Sequence, residues 1–541
     1  MTSFKNKLFA AALCLSGLSN AAAQEETYSV PSVHFLPLKR MEANACGIHI
    51  SEPTDILNEN VWKNAVFPVT AAKFHQIGKQ LPAGGEKLRL DLLKLTAAPP
   101  EGASDQAFIA LKLKQLFDLA QFEDAYRLIQ KIPEKTRSDS LNKIYADLSL
   151  TQNLKTACTR KGMDGDDPFW QKLSAVCAAA DKKENEAFLA LELLKEQKAG
   201  NSFITKAVDC FLNEEPLKKA PEKITPLAVA VWRAAGRKLT ELKDPDNQIW
   251  FKAVFISDET ISVEQRLPFA EELTQSGLLS AEKLKTLYTR VSFEENKDTP
   301  LSPVLFRARS FQDAQAAADN PEKQNFIKKG LQSAKESGVL YAFSAAGENI
   351  LKTLTPDPET LEESSLLIEA FVLAGLNEQA TDWYKKAEIL FPVSETTANG
   401  WYFAELAQTD KNEHFLIPSL ENMMAYAEKK KKADDAFTAR IDRLMLMFQM
   451  LDMIPPDESW NYSSFAENSL EEELSERGKS PVPSQKSVGD AVLEALRELD
   501  GSYTGLMAAL SGLTRIGLER EAALLAAQSA DLILQPEKTH E

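Results

Sequence analysis

The sequence predicts an all-α protein, a right-handed α-solenoid of degenerate helical hairpins with a short non-helical arm at its N-terminus. The first observation is composition. Glycine is scarce, with 22 residues in 541, whereas alanine, leucine, glutamate and lysine are abundant, and these are good helix formers. The second is periodicity, because apolar residues recur at helical spacing from Asp105 onward. The third is a repeat of about 30 residues.

The repeat is carried by a four-residue motif that ends in alanine. Its copies place their alanines 32 and 30 residues apart. The three copies are Phe122-Glu-Asp-Ala125, Leu154-Lys-Thr-Ala157 and Glu184-Asn-Glu-Ala187. A recurrence of this size is typical of stacked helical hairpins, in which each hairpin buries its apolar face against the next.

A glycine with an alanine five residues later marks two further hairpins, Gly375 with Ala380 and Gly517 with Ala522. We expect the glycine to end one helix in a tight turn and the alanine to let the next helix pack closely. Both pairs agree with the tetratricopeptide repeat at those positions, although the full signature of that repeat is absent. The hairpins are therefore predicted to be TPR-like and degenerate.

Residues 1–23 are predicted to be a signal peptide. Two lysines precede an apolar run from Leu8 to Leu18, and Ala21-Ala22-Ala23 offers a cleavage site. Leu13 stands where a small residue should precede a lipidated Cys14, so we expect cleavage without lipid attachment. No later stretch reaches the length of about 20 apolar residues that a membrane span needs. The sequence therefore predicts a periplasmic protein with no integral membrane segment after cleavage.

Breaks in the helical pattern divide the remaining chain. Prolines interrupt the beginning, whereas Pro455-Pro456, an acidic run and low apolar content mark a later break. The predicted order is an arm at 24–60, the solenoid at 61–453, a disordered linker at 454–487, a C-terminal helical cap at 488–534 and a tail at 535–541.

Glycine and proline also predict where individual helices stop. Gly84-Gly85 is predicted to be a loop, and Pro268 is predicted to break a helix in the middle of the chain. Asp167 is predicted to be an N-cap, because Pro168 after it suits the first helical position.

The charge balance restricts the class of partner. The formal net charge is −17, and the mature chain would carry 60 basic residues against 79 acidic ones. Nucleic acid or an anionic membrane surface would repel such a chain. A protein or peptide remains the favoured partner, whereas the oligomeric state is not decided by these features.

Four cysteines would remain after signal cleavage: Cys46, Cys158, Cys177 and Cys210. An even number in an exported chain favours disulfides, and four cysteines allow three pairings. Cys158 and Cys177 lie on either side of one predicted hairpin loop and are the preferred pair. Cys46 and Cys210 would then be free to tie the arm to the solenoid.

No residue pattern predicts a catalytic centre, a metal site or a cofactor. Cys46-Gly-Ile-His49 with His34 lacks the second closely spaced pair of ligands that a transition metal needs. There is no nucleophile elbow and no glycine-rich phosphate loop. Glu458-Ser459 is the one match to a catalytic pair of superhelical lytic transglycosylases, but the Gly-Leu-Met that should follow closely lies at Gly505.

Two features fit binding and packing alike. Lys429 to Lys432 form a basic run within a helical stretch, and a solvated helix face explains it best. Aromatic residues recur at helical spacing in Trp383-Tyr384 and Trp401-Tyr402-Phe403. Such aromatics more often lie in the core than on a peptide-binding face, and the sequence alone does not decide which way these side chains point.

A set of ordered motifs resembles an uncharacterised family of exported helical-repeat proteins from alphaproteobacteria. The motifs are Trp170-Gln-Lys-Leu173 with Cys177, Arg307-Ala-Arg309, Gly375-Leu with Ala380 and Trp383, and Gly517-Leu-Glu-Arg-Glu-Ala522. The resemblance covers most of the mature chain. It implies an α-solenoid and a disulfide between Cys158 and Cys177, and it brings no catalytic residues.

The sequence therefore favours a non-enzymatic periplasmic scaffold that binds an envelope protein or peptide, since stacked hairpins form long curved surfaces. The alternative hypothesis is an enzyme acting on cell-wall glycan, with Glu458 as its general acid.

Overall fold

The computed structural model describes residues 47–48, 56–159, 167–244, 246–293, 300–408, 416–429, 435–453 and 487–534. The predicted signal peptide, most of the arm, nearly all of the predicted linker and the tail lie outside these residues. Cys46 and Glu458 lie outside them as well. All of the described residues belong to one compact unit, Ala43–Glu541.

The described part of the chain is all-helical, with 27 α-helices. The first ten are α1 (Phe67–Gln76), α2 (Ala83–Lys94), α3 (Asp105–Asp118), α4 (Phe122–Gln130), α5 (Asp139–Gln152), α6 (Leu154–Cys158), α7 (Pro168–Ala180), α8 (Glu184–Glu196), α9 (Ser202–Asn213) and α10 (Pro226–Ala234). The next ten are α11 (Ile249–Ser257), α12 (Val263–Gln275), α13 (Ala281–Arg290), α14 (Pro303–Ala316), α15 (Asn320–Glu336), α16 (Leu340–Ala346), α17 (Glu348–Leu351), α18 (Pro358–Leu361), α19 (Ser365–Leu373) and α20 (Asn377–Leu390).

The last helices are α21 (Glu395–Ala407), α22 (Leu416–Lys429), α23 (Asp435–Met450), α24 (Val488–Glu498), α25 (Tyr503–Arg515), α26 (Glu519–Gln528) and α27 (Ala530–Leu534). Two short 3-10 helices, Glu134–Thr136 and Leu239–Glu241, complete the helical elements. Within the described ranges, β-structure is limited to one isolated bridge between Val66 and Glu101.

One turn conformation joins several of the helix pairs. At Gly375 the φ angle is +76°, its N–H donates to the carbonyl of Val372 at 3.0 Å, and the N–H of Leu376 donates to the carbonyl of Phe371 at 2.7 Å. This is the Schellman arrangement, in which a left-handed residue satisfies the free carbonyls at a helix end. The same pairs of bonds occur at Ala120, Lys182, Gly338, Gly375 and Gly517.

The alanines of the predicted motifs lie in the core. Ala125, Ala157, Ala187, Ala380 and Ala522 are each fully buried. A methyl side chain at this position lets the second helix of the hairpin approach its neighbours closely. The predicted packing role of the glycine–alanine pairs agrees with this geometry.

The middle copy of the motif forms a different turn. Asn153 has an extended φ of −170° and its side chain accepts a hydrogen bond from the N–H of Thr156 at 2.7 Å. The helix that follows, α6, is only five residues long, too short to be stable by itself. Cys158 at its end is bonded to Cys177 of α7, with 5.4 Å between their Cα atoms. The disulfide therefore ties this short helix covalently to α7.

The C-terminal helices pack against the beginning of the chain. Helix α24 contacts α1 and α2, and α26 contacts α2, α19 and α21. A buried polar network joins them, because the hydroxyl of Thr70 donates to Asp490 at 2.9 Å and Lys73 lies 3.1 Å from Glu494. Stacked hairpins that touch only their sequence neighbours lack such contacts, so the solenoid arrangement stays a prediction within an all-helical fold.

Two predicted breaks are wrong. Gly84 and Gly85 lie in the first turn of α2, where the absence of side chains lets Leu525 and Leu499 approach. Pro268 lies inside α12. An internal proline costs about 3 kcal/mol, and the burial of the apolar face around Leu267 outweighs that cost.

The aromatic residues at helical spacing lie in the core, the more common of the two placements that the sequence left open. Trp383, Tyr384, Trp401 and Tyr402 are at most 1% exposed, and Phe403 is 2% exposed. Lys429 is exposed at the end of α22, and the other three lysines of its run lie outside the described residues.

Candidate binding cleft

A cavity of about 700 Å³ opens between α5, α7, α9 and α10. Its walls are the first turns of α7, α9 and α10, together with the Lys143 to Asp147 segment of α5 and the loop that precedes α10. Helix α9 packs against α7, whereas α10 returns to pack against α5 and α6. We call this space the binding cleft.

Local sequence places three helix N-termini at the binding cleft. Asp167 accepts the N–H of Phe169 at 2.8 Å and Asn201 accepts the N–H of Phe203 at 3.0 Å. Thr225 accepts the N–H of Ala228 at 3.2 Å. Prolines occupy the first helical positions of α7 and α10, where the missing N–H costs nothing. The predicted cap at Asp167 is confirmed.

Basic side chains outnumber acidic ones around the binding cleft, in contrast to the whole chain. Five lysines and three carboxylate residues line it, whereas the whole sequence has 62 basic and 79 acidic residues. The positive ends of three helix dipoles add to this charge. The cleft is therefore an electropositive region of an acidic protein.

The lysines differ in whether they have partners. Lys143 forms a 2.9 Å ion pair with Asp167 and lies 5.2 Å from the centre of the Phe169 ring. Lys219 lies 3.5 Å from Glu222. The other three lining lysines form no ion pair with any described residue: Lys172, Lys206 and Lys223.

Asp147 is a half-buried carboxyl in the wall of the cleft. Burial raises its pKa to about 7, and the nearby charge of Asp118 adds to the rise. The charges of Lys143 and Lys114 oppose it. Near neutral pH this carboxyl is therefore partly protonated, so it only partly cancels the positive charge of the cleft.

The binding cleft also has an apolar component. Phe169, Phe203 and Pro221 line it and are each only half-buried. Their partly exposed surfaces can cover an apolar ligand group. None of the lining residues is a histidine or a cysteine. Charge and apolar surface together suit binding, and the lining does not assemble a nucleophile with a base.

The predicted cysteine sites are partly brought together. Cys158 and Cys177 are joined in the disulfide that the sequence favoured. Cys210 is a buried free thiol on α9, and its burial raises its pKa. Cys46 lies outside the described residues, as do Glu458, His34 and His49. A pairing of Cys46 with Cys210 and a catalytic role of Glu458 stay predictions.

A second charged cluster lies far from solvent, between α12, α13 and α14. Arg307 donates to both carboxylate oxygens of Glu271, and the Tyr288 hydroxyl donates to Glu271 at 2.6 Å. Arg307 also donates to the hydroxyl of Ser337 at 2.8 Å. Glu271 and Arg307 are 2% and 3% exposed, and Tyr288 is fully buried. We call this group the buried Glu271–Arg307 cluster.

Sequence reasoning missed the binding cleft because its lysines lie on four separate elements. The signal that was present is the cap pattern: Asn201-Ser202 and Thr225-Pro226 resemble Asp167-Pro168. Such patterns predict where helices begin. They do not predict that three beginnings will face one space.

Neither a metal site nor a membrane span is found in the described part of the chain. No group of three or more histidine, cysteine, aspartate or glutamate side chains there is arranged to hold a metal ion. Among the described residues, no helix combines the length and the apolar character needed to cross a membrane. Comparison with protein-family models, curated proteins and solved structures finds no match for this chain.

Proposed function

We propose that this chain is an exported, non-enzymatic helical scaffold that binds a protein or peptide of the cell envelope in the binding cleft. The observation that carries the proposal is the cleft itself. It combines about 700 Å³ of open volume with half-exposed aromatic rings and with three lysines that form no ion pair with a described residue. Binding sites commonly pair an apolar surface with a few polar groups in this way.

The disulfide supports the proposed compartment. Disulfides persist in oxidising compartments such as the periplasm and are rare in the cytosol. The bond between Cys158 and Cys177 closes a 19-residue separation that contains the start of α7, and this start forms one wall of the cleft. The disulfide that supports export therefore also joins α6 to the helix whose start forms this wall.

The test is site-specific photo-crosslinking in the host. A photo-reactive amino acid replaces Phe203, which lines the cleft, or Phe306 on α14, which is 38% exposed and lies outside it. We expect one envelope protein to be crosslinked at position 203 and not at position 306. Equal adducts at both positions, or none at 203, would contradict the proposal. Clearing of peptidoglycan by the purified chain in a zymogram would contradict its non-enzymatic part.

A further inference from the structure

We propose that the binding cleft takes an acidic peptide segment, one that carries several carboxylates together with an apolar side chain. This inference rests on the proposed function and names the chemistry of the partner. It is carried by three lysines that form no ion pair with a described residue, by their arrangement around a cavity and by the aromatic surface beside them.

Three lysines of the cleft, Lys172, Lys206 and Lys223, form no ion pair with a described residue. Lys206 and Lys223 are exposed, and Lys172 is half-buried. They lie on α9, in the loop before α10 and on α7, so they approach the cavity from three sides. A ligand that lies in the cavity meets positive charge on each of these sides. Several carboxylates along one segment match this arrangement better than a single anion does.

The helix N-termini add to the attraction. Each leaves backbone N–H groups without intrahelical partners, and the side-chain caps satisfy only some of them. The partial positive charge at a helix N-terminus favours carboxylates nearby. Three such ends face the same cavity, so their contributions act on one ligand.

The apolar part of the cleft distinguishes a peptide from a small anion. Phe169 and Phe203 offer partly exposed rings, and Pro221 lies beside them. A free phosphate or carboxylate would leave these surfaces in water. A segment with a leucine or phenylalanine between its acidic residues would bury them, and removing apolar surface from water favours binding.

The overall charge of the chain argues for a peptide rather than a lipid surface. Charges more than about 8–10 Å away are screened at physiological salt. A peptide in the cleft therefore experiences mainly the local lysines, whereas an anionic membrane would face a large area of a molecule with a net charge of −17. The lysines of the cleft attract an acidic peptide, whereas the net negative charge of the whole chain repels an anionic membrane.

The experiment measures binding of a labelled ten-residue peptide with four glutamates and two leucines to the full mature chain by fluorescence anisotropy. The matched probe has glutamine in place of each glutamate. The cleft variant is Lys206→Glu with Lys223→Glu, and the control variant is Lys63→Glu with Lys352→Glu, two exposed lysines outside the cleft. Circular dichroism verifies that both variants are folded.

We expect the glutamate peptide to bind with an affinity that falls as salt rises, and the glutamine peptide to bind about tenfold more weakly. The cleft variant should lose about tenfold or more in affinity for the glutamate peptide, and the control variant should keep the wild-type value. Equal binding of the two peptides, or equal losses in the two variants, would overturn the inference.

Other occupants of the cleft give different results. Displacement of the peptide by millimolar inorganic phosphate, or tighter binding to phosphatidylglycerol vesicles than to the peptide, would assign the cleft to phosphate groups and overturn the inference. Dimerisation of the wild type that the cleft variant abolishes would assign it to a second copy. If position 203 crosslinks a partner but the acidic peptide does not bind, the chemistry is wrong and the proposed function stands.

Discussion

The binding cleft and the buried Glu271–Arg307 cluster both contain basic and acidic side chains, but the two regions differ in how fully these side chains are paired. In the buried cluster, the carboxylate of Glu271 receives hydrogen bonds from Arg307 and Tyr288, and Arg307 also donates to Ser337. In the cleft, Lys206 forms no ion pair with a described residue, and the carboxyl of Asp147 accepts no hydrogen bond from a described residue.

The difference shows how to distinguish charged side chains that stabilise the fold from charged side chains that can contact a ligand. A buried charge costs several kcal/mol to desolvate, so it persists only where hydrogen bonds satisfy it. An exposed lysine is hydrated and needs no partner. The buried cluster therefore holds α12, α13 and α14 together, whereas Lys206 and Lys223 of the cleft form no ion pair with a described residue.

Breaking the buried cluster should give the largest effect. Arg307→Met leaves the carboxylate of Glu271 buried without its cation, so we expect a loss of about 3–5 kcal/mol in the free energy of unfolding. Urea denaturation measures it. Lys206→Met in the cleft is the matched control and should change stability by less than about 0.5 kcal/mol. Similar losses from the two changes would contradict the contrast between the regions.

Removing the disulfide tests whether the cleft side of the molecule depends on its covalent bond. Cys158→Ser with Cys177→Ser should cost about 3 kcal/mol, the value for a loop of this size, since the residues are 19 positions apart. The urea midpoint measures the loss. Cys210→Ala, which removes a buried cysteine that is not bonded to a described residue, should have a much smaller effect unless the predicted bond to Cys46 forms. Unchanged stability of the double variant would mean that packing alone holds α6.

Asp147→Asn tests the half-buried carboxyl of the cleft. Its pKa in the folded state, about 7, lies above the ordinary value of 3.8, so between these pH values the folded protein keeps a proton that the unfolded chain has released. The proton on Asp147 therefore contributes stability that is fully present below about pH 4 and is lost as the pH rises to about 7. The variant should be more stable than wild type by about 1–2 kcal/mol at pH 8 and equal to it at pH 4.

Urea denaturation at several pH values measures this difference. Asp209→Asn on α9 is the control, because Asp209 is exposed, and it should leave the pH dependence unchanged. A constant offset between Asp147→Asn and wild type from pH 4 to pH 8 would show that the carboxyl of Asp147 does not titrate in this window. It would then be charged throughout, and its charge would oppose the lysines of the cleft.

The smallest expected effect concerns the turns. Between α3 and α4, Ala120 has a φ of +59°, whereas glycine occupies the equivalent Gly375 turn. Ala120→Gly should stabilise the chain by about 0.5–1 kcal/mol, because only glycine adopts this conformation without strain. Gly375→Ala should destabilise it by about 1 kcal/mol. Thermal unfolding measures both, and shifts of the same sign would contradict the assignment of strain to Ala120.

Features that depend on a few neighbouring residues were predictable. The cap at Asp167 and the turns at Gly375 and Gly517 follow from residue types that favour one local backbone conformation. The left-handed turns at Ala120 and Lys182 were not predictable, because alanine and lysine disfavour that conformation. Packing of the helices on either side imposes it.

The sequence by itself determined the all-helical class, the close-packing alanines of the hairpins, and the preference for a bond between Cys158 and Cys177. Only the tertiary structure decided that Gly84-Gly85 begins a helix, that Lys73 meets Asp490 across 417 residues, and that three helix ends face one cleft. The physical reason is the distance along the chain over which each effect acts. Periodicity and capping act within a few residues, whereas the approach of distant helices depends on the packing of the whole core.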